Sequence, residues 1–159
     1  DFIPGNYCYY TTKWTDMDND CAIKLYAAGT SGLNSIDGDI STYWEPDPVN
    51  EPGAWISWDL GELKFLGHIR LYWGDNADYI PTSFRIWTSK DNVDWKLKAQ
   101  ITEAPNPSAW QVIGGLSRYC RYVKLEVVEH GAAGTHLNEI DVQAFDIYTA
   151  FERHGHSPN

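Results

Sequence analysis

Short runs in which apolar and polar residues alternate constrain the fold of this chain more than any other feature. In residues 54–60, Ile56, Trp58 and Leu60 fall on one face, and residues 69–73 repeat the alternation. A period of two residues is that of a β-strand, because successive side chains point to opposite faces of a sheet. We therefore expect strands rather than helices along most of the chain.

Further runs of the same character follow, and turn-forming residues separate them. The runs are residues 83–88, 95–101, 110–113, 122–128 and 140–145. Clusters rich in Gly, Pro, Asn or Asp lie between them, at residues 51–53, 74–76, 90–92, 105–107 and 131–134. These residue types favour turns through their backbone conformations and short polar side chains. Short strands at this spacing predict an all-β fold, namely an antiparallel β-sandwich or jelly roll.

Composition and charge narrow the classes of partner. The chain has 159 residues, 43% of them hydrophobic and 21% charged, which indicates one globular domain. Its 22 acidic and 12 basic residues give a net charge of −10, with no cluster of Lys or Arg. Nucleic acids and anionic membranes are therefore poor partners, and no apolar run reaches the length of a membrane span. The acidity suits cation binding, although solubility explains it equally well.

Aromatic residues and cysteines are the other compositional signals. Eight Trp, ten Tyr and five Phe make up 14% of the chain. We expect some of these rings at the surface, where flat faces stack on sugars or seal an interface, although most are explained as large strand residues. Cys8 and Cys21 can close a small loop, and Cys120, in a strand, is expected to be a buried thiol. Pairing of Cys120 with Cys8 or Cys21 stays open.

A short acidic segment has the residues of a cation-binding loop. Asp37 and Asp39 flank Gly38, and Thr42 follows three residues after Asp39. Calcium takes six to eight oxygen ligands at about 2.3–2.6 Å, and these side chains can converge if Gly38 turns the backbone tightly. The alternative is an ordinary turn, since Asp-Gly forms turns without any metal.

Several segments in a fixed order resemble a known family. They are residues 36–39 with Thr42 and Trp44, then residues 55–61, residues 84–92 with Trp95, residues 120–127 and residues 137–142. Over residues 23–147 the chain resembles a discoidin, or coagulation-factor (F5/8) type C, domain, the galactose-binding-like jelly roll that includes the family 32 carbohydrate-binding modules. The resemblance implies a discoidin-like domain at residues 23–148, an N-terminal extension at residues 1–22 and a tail at residues 149–159.

The resemblance also implies a structural calcium site. The family commonly holds the ion with side chains at the positions of Asp37, Asp39 and Thr42. It adds the carbonyl of Asn34 near the start and, beside the last strand, the carbonyl of Asn138 followed by Glu139. All of these residues can offer an oxygen ligand. Trp44, next to this set, is expected in the core.

A sugar site is expected in the loops at the end of the sandwich. Family members that bind galactose-type sugars often carry an Arg just after the strand that here ends near Trp73, but this chain has Gly74, Asp75 and Asn76 there. The polar and aromatic side chains that suit sugar hydroxyls and apolar sugar faces are Trp73, Asp75, Asn76, Asp78, Tyr79 and His130. The alternative is that Asp75 and Asn76 shape a turn and that Tyr79 packs beneath it.

Two functions follow as expectations. The first is a non-catalytic, calcium-stabilised carbohydrate-binding module of an extracellular protein, with a glycan or polysaccharide as partner and further domains attached. Its non-catalytic character agrees with the absence of Gly-x-Ser-x-Gly, His-Glu-x-x-His and phosphate-binding glycine motifs. The alternative is a structural or adhesive subunit of a surface assembly, whose aromatic surface, N-terminal extension and tail contact adjacent copies.

Overall fold

The computed structural model describes residues 7–10, 24–27, 32–116 and 118–146. In these residues β-strands dominate and two short 3₁₀ turns, Gly32–Ile36 and Ala77–Tyr79, are the helical elements. The strands are β1 (Tyr7–Tyr10), β2 (Lys24–Ala27), β3 (Trp55–Tyr72), β4 (Ser83–Ser89), β5 (Trp95–Ile101), β6 (Trp110–Ile113), β7 (Arg118–Glu129) and β8 (Glu139–Asp146). Nowhere in this described part does a helix combine the length and apolar character needed to cross a membrane.

The strands form one curled antiparallel sheet in the order β1-β8-β3-β7-β4-β5, with β2 and β6 also paired to β3. This architecture confirms the predicted all-β, antiparallel fold. The long strand β3 joins its two parts: residues 55–59 and 64–66 pair with β7, and residues 64–72 pair with β8. The register of the β3–β7 pairing shifts between Asp59 and Lys64, around Gly61 at φ +90°. The sequence predicted two separate strands here, because the alternation is interrupted between them.

The strand faces that were predicted to be buried are buried, and their side chains form the core. Ile69 and Leu71 of β3 are completely buried, as are Val123 and Leu125 of β7. Trp44 is also completely buried, as expected. Burial of these apolar side chains supplies the main favourable free energy of folding, at about 25 cal/mol per Å² removed from water.

The first part of β3 is more buried than a single apolar face predicts. Ser57 and Asp59 are buried along with the apolar residues between them. Asp59 accepts hydrogen bonds from Arg121, at 2.7 Å from Nε and 3.0 Å from Nη2. A bidentate guanidinium partner is what allows an ionised carboxylate to be buried.

Some of the sequence predictions lie wholly or partly outside the described residues. Cys120 is completely buried in β7, but its pairing, and that of Cys8 with Cys21, involves side chains that are not described. The predicted extension at residues 1–22 contributes β1, which pairs with β8. Its other residues and the tail at residues 149–159 lie outside the described residues.

Candidate functional site

An isolated β-bridge brings two distant loops together at one end of the sandwich. Trp44 N–H donates to the Leu137 carbonyl (2.8 Å), and Leu137 N–H donates to the Trp44 carbonyl (3.1 Å). Both of these side chains are completely buried. Because side chains alternate along extended backbone, the preceding residues, Tyr43 and His136, lie on the opposite side. The bridge therefore places an aromatic pair at the surface end of the sandwich.

Three rings stack at this point. The centroids of Tyr43 and His136 are 3.7 Å apart with an interplanar angle of 12°, and those of Tyr79 and His136 are 3.9 Å apart with an angle of 5°. His136 Nε2 lies 2.8 Å from Glu45 Oε2, and His136 N–H donates to the Tyr79 carbonyl (2.9 Å). The stack is thus held in place by both backbone and side-chain contacts.

The stack borders a cavity of about 390 Å³, which we call the tyrosine cavity. Its lining includes Tyr43, Tyr79 and His136 on one side and the loop after β3, with Asp75 and Asn76, on the other. Of the ligand-binding residues predicted from the sequence, Trp73, Asp75, Asn76 and Tyr79 line the cavity.

Two predicted ligand-binding residues do not line the tyrosine cavity. The Asp78 carbonyl accepts a hydrogen bond from Ala133 N–H (2.8 Å), and the His130 ring nitrogen Nδ1 contacts the carbonyl of Gly131. Their backbone and ring contacts stabilise the neighbouring loop. Asp78 and His130 therefore lie outside the site that the other four residues form.

Trp73 forms a wall of the cavity rather than an open platform. Its side chain is 1% exposed, its Nε1 donates to Gln111 Oε1 (2.9 Å), and its ring packs against Phe84 at 5.1 Å. A sugar ring cannot reach a face that is already packed, so Trp73 is not available for the stacking expected of it, whereas Tyr43 is 37% exposed.

Asn76 has the turn-forming role that the sequence left as an alternative. Its Oδ1 accepts the N–H of Asp78 (3.0 Å), which caps the 3₁₀ turn Ala77–Tyr79. Asp75, next to it, is exposed at the mouth of the cavity. The loop thus places the exposed carboxylate of Asp75 next to a capped turn.

The acidic loop, residues 37–42, converges around Thr42. The Thr42 hydroxyl donates to Asp37 Oδ2 and approaches the Asp39 carbonyl at 3.0 Å. Gly38, between the two aspartates, has φ +78°, which favours glycine. The tight turn predicted from the Asp-Gly pair is therefore present.

Glu139 faces this loop from the start of β8. Its side chain is completely buried; Oε2 accepts the N–H of Gly38 (3.3 Å), while Oε1 has no hydrogen-bond partner. Burial, opposed by the hydrogen bond from Gly38 N–H and assisted by the nearby Asp37 and Asp141 carboxyl groups, raises the pKa of Glu139 to about 9. An unpartnered carboxylate oxygen is costly in the interior, so this position fits a bound cation.

The backbone carbonyl of Asp39, not its carboxylate, faces the interior of the loop. Its Oδ1 accepts hydrogen bonds from Ser41 N–H (2.9 Å) and Ser41 Oγ (2.6 Å), and these bonds lower the pKa of Asp39. The carboxylate ligand predicted at this position is therefore turned away from Thr42. The sequence signal that this prediction overlooked is Ser41, two residues later, whose hydroxyl and N–H donate to the carboxylate.

Two amide side chains brace the same loop. Asn34 Nδ2 donates to the Tyr43 carbonyl (3.0 Å), and Asn138 Nδ2 donates to the Ile40 carbonyl (2.7 Å). Among the described residues, no group of three or more His, Cys, Asp or Glu side chains is arranged to hold a metal ion. A cation at this loop would thus need hydroxyl and carbonyl oxygens as well as the carboxylates of Asp37 and Glu139.

Surface aromatics also occur on the outer face of the β3-β7-β4-β5 part of the sheet. Lys124 Nζ lies 4.2 Å from the ring centroid of Trp95, 5.8 Å from that of Trp55 and 6.0 Å from that of Trp87. We call these four residues the tryptophan face. Trp55 is 41% exposed, so part of the aromatic excess lies at the surface, as expected from the sequence.

The curled sheet, with its site in the loops at one end, defines a discoidin-like β-sandwich. The family model of the F5/8 type C domain matches residues 15–140, and the chain belongs to this family. A comparison with curated proteins finds no sequence match.

Solved structures agree with this assignment. The family 32 carbohydrate-binding module of Clostridium perfringens NanJ, in complex with galactose, has 14% identity and a TM-score of 0.67, with 86% of this chain and 98% of that chain covered. A chitosan-binding module 2 from a Paenibacillus sp. IK-5 chitosanase/glucanase, in complex with chitotriose, has 21% identity and a TM-score of 0.63, with 77% and 95% covered. At these identities the likeness establishes the fold.

Proposed function

We propose that this chain is a non-catalytic carbohydrate-binding module of an extracellular protein and that its glycan site is the tyrosine cavity. The observation that carries the proposal is the Tyr43–His136–Tyr79 stack beside a polar loop. Sugars present both an apolar face and a ring of hydroxyl groups, and their binding sites combine an aromatic surface with a few polar side chains. The galactose and chitotriose complexes of structural relatives support the same use of the fold.

Each group has a distinct task in this proposal. A sugar ring packs its apolar face against the exposed part of Tyr43 or Tyr79. The exposed Asp75 carboxylate accepts hydrogen bonds from sugar hydroxyl groups. His136, fixed between the two tyrosines and by Glu45, keeps both rings in one orientation. Such pre-organisation lowers the entropy cost of binding.

We test the glycan site with a glycan array followed by calorimetry, on wild type, Tyr79→Ala and Tyr43→Ala. Removing one stacking ring should weaken binding by roughly tenfold, because an aromatic contact contributes about 1.5 kcal/mol. Tyr122→Ala is the matched control, since Tyr122 lies on β7 and does not line the cavity. Absence of binding to any glycan by the folded protein would refute the proposal.

We also propose that calcium binds at the acidic loop. Asp37, Thr42 and Glu139 would hold it with their side chains, and Asn34, Asp39 and Asn138 with carbonyl oxygens. The fully buried Glu139, with its unpartnered Oε1, supports this proposal. When bound, calcium supplies positive charge that neutralises the adjacent carboxylates and pins the loop to β8.

Elemental analysis and thermal unfolding test the calcium proposal. Calcium should raise the unfolding midpoint of chelator-treated wild type, because an ion that binds only the native state stabilises it. Asp37→Ala should abolish this rise, whereas Asp94→Ala, in the exposed turn between β4 and β5, should keep it. A protein that contains no calcium as purified and shows no rise with added calcium would contradict the proposal.

The tryptophan face favours a second candidate, the structural or adhesive subunit. Partly exposed indoles beside a cation are typical of protein interfaces. Sedimentation at increasing concentration should then show defined oligomers in the wild type and a shift toward monomer in Trp55→Ala. A wild type that stays monomeric throughout would count against this function.

A further inference from the structure

The tryptophan face lies in the most basic segment of an acidic chain. Lys124 Nζ lies over the Trp95 ring at 4.2 Å, and on the adjacent strand Arg85 Nη1 lies 3.7 Å from Glu126 Oε1. Residues 85–124, which run from β4 into β7, contain seven Lys or Arg and three Asp or Glu residues. This segment therefore carries a charge of +4, and the rest of the chain carries −14.

The loops around the tyrosine cavity carry the opposite charge. Asp75 lies at the mouth of this cavity, and Glu45 and Asp47 line a second cavity, of about 670 Å³, which shares Tyr43 with it. We call these three carboxylate residues the acidic end. Among the described residues that line the two cavities there is no Lys or Arg. Residues 32–63, which include two of the three carboxylates, contain seven acidic residues and no basic one.

The tryptophan face also has the exposed apolar surface of a protein interface. Trp55 is 41% exposed, and Leu97, which is 46% exposed, is the β5 partner of Trp87 and so points to the same side of the sheet. Two such faces in contact would, however, bring Lys124 and Arg85 of one copy against the same residues of the other, and like charges repel. The charges therefore favour contact of this face with a different surface.

We infer that the tryptophan face docks onto the acidic end of a second copy of this chain. This inference rests on the second proposed function, the structural or adhesive subunit, and names the two surfaces that meet. Lys124 and Arg85 pair with carboxylates of the acidic end, and the exposed part of Trp55 is removed from water. Because the two surfaces differ, one of each remains free in a pair of copies, and further copies add head to tail.

Sedimentation velocity of the full chain at increasing protein concentration tests the inference. Wild type should form oligomers at about 0.01 M salt and dissociate at about 1 M, because salt screens exposed charges. Trp55→Ala removes a ring of the face, and Asp47→Lys/Asp75→Lys reverses the acidic end. Each variant alone should have an association constant lower by about tenfold or more. An equimolar mixture of the two should regain one intact contact and form a one-to-one dimer.

The mixture distinguishes this contact from a symmetric one. Face-to-face pairing would let the Asp47→Lys/Asp75→Lys variant associate as wild type does, and it would give no recovery on mixing; either result overturns the inference. Thermal unfolding checks that both variants are folded, and Asp47→Asn/Asp75→Asn, which keeps the side-chain size, takes the place of the reversal if that variant does not fold.

A charge control separates docking from a general effect of net charge. Asp94→Lys/Glu103→Lys reverses two exposed carboxylates outside the acidic end and should associate as wild type does. Equal loss of association in this control would overturn the inference. Wild-type oligomers that the acidic-end variants leave unchanged would remove the inference alone, whereas a wild type that stays monomeric would remove the structural function as well.

Discussion

Glu139 illustrates at the scale of one residue how burial changes the protonation of a carboxyl group. Its pKa of about 9, against an ordinary value near 4.5, means that the ion-free native state keeps a proton that the unfolded state has released. Stability of the ion-free protein should therefore fall as the pH rises from about 4.5 to about 9. A cation in place of the proton would remove this cost.

The effect of Glu139→Gln on the unfolding midpoint should change sign when calcium is added. In chelator at about pH 8, we expect an unfolding midpoint equal to or above that of the wild type, because glutamine, unlike Glu139, need not take up a proton on folding. In excess calcium, its midpoint should lie below that of the wild type, because a ligand is missing. Thermal unfolding in both buffers is the measurement, with Glu103→Gln, at an exposed site, as the control. A midpoint below the wild type in both buffers would show that Glu139 stabilises the fold without an ion.

Single residues also mark the limit of prediction from sequence. The Asp-Gly turn and the candidate stacking role of Tyr79 follow from local patterns. The partners of Tyr79 do not, because the Tyr43–His136 contact depends on the bridge between Trp44 and Leu137. That bridge joins residues 93 positions apart, and no local periodicity reports it.

The loop after β3 connects the tyrosine cavity to the acidic loop. Gly74 has φ +86°, and its carbonyl accepts the N–H of Ser108 (2.7 Å). A Cβ at Gly74 would lie 2.8 Å from Asn138 Oδ1. Asn138 in turn lines the cavity and holds the Ile40 carbonyl of the acidic loop. The absence of a side chain at Gly74 therefore lets two loops approach closely.

Gly74→Ala should impair both sites, and Gly115→Ala is its matched control. Gly115 has φ +70°, and a Cβ there would meet nothing within 4 Å. An alanine in this conformation costs about 1–2 kcal/mol, so each variant should lose several degrees in its unfolding midpoint. The Gly74 variant should lose more, together with calcium and glycan affinity, because it displaces Asn138. Equal losses in the two variants would contradict the role assigned to this contact.

At the same scale, the strands show what alternation can and cannot predict. The runs at residues 83–88, 95–101 and 110–113 correspond to β4, β5 and β6. The interrupted alternation of residues 61–68 hid the continuity of β3, because this segment passes from one part of the sheet to the other. Pairing of β3 with both β7 and β8 is a property of the assembled sheet, not of any one run.

At the scale of the whole molecule, the two proposed sites share one segment. Ile40, Ser41 and Tyr43 line the tyrosine cavity, and residues 37–42 form the acidic loop. Asn138 hydrogen-bonds to this segment and precedes the calcium candidate Glu139. An ion that orders the acidic loop therefore also orders the wall against which a sugar would pack.

We predict that calcium and glycan bind cooperatively, each raising the affinity for the other by the same factor, about 5-fold or more. Calorimetric titrations of glycan with and without calcium, and of calcium with and without glycan, measure the two factors. Asn138→Ala should reduce both, whereas Asn92→Ala, in the turn between β4 and β5, should leave them unchanged. Affinities that do not depend on the other ligand would show that the sites are independent.

Such coupling would make glycan binding by the domain reversible through calcium. Because coupling acts in both directions, a fall in free calcium would release a bound glycan without any change in the glycan itself. A surface already occupied by glycan would, conversely, retain its calcium at concentrations that empty the free protein. Attachment would depend on the ionic composition of the surroundings as well as on the sugar, through the hydrogen bond that joins Asn138 to the Ile40 carbonyl.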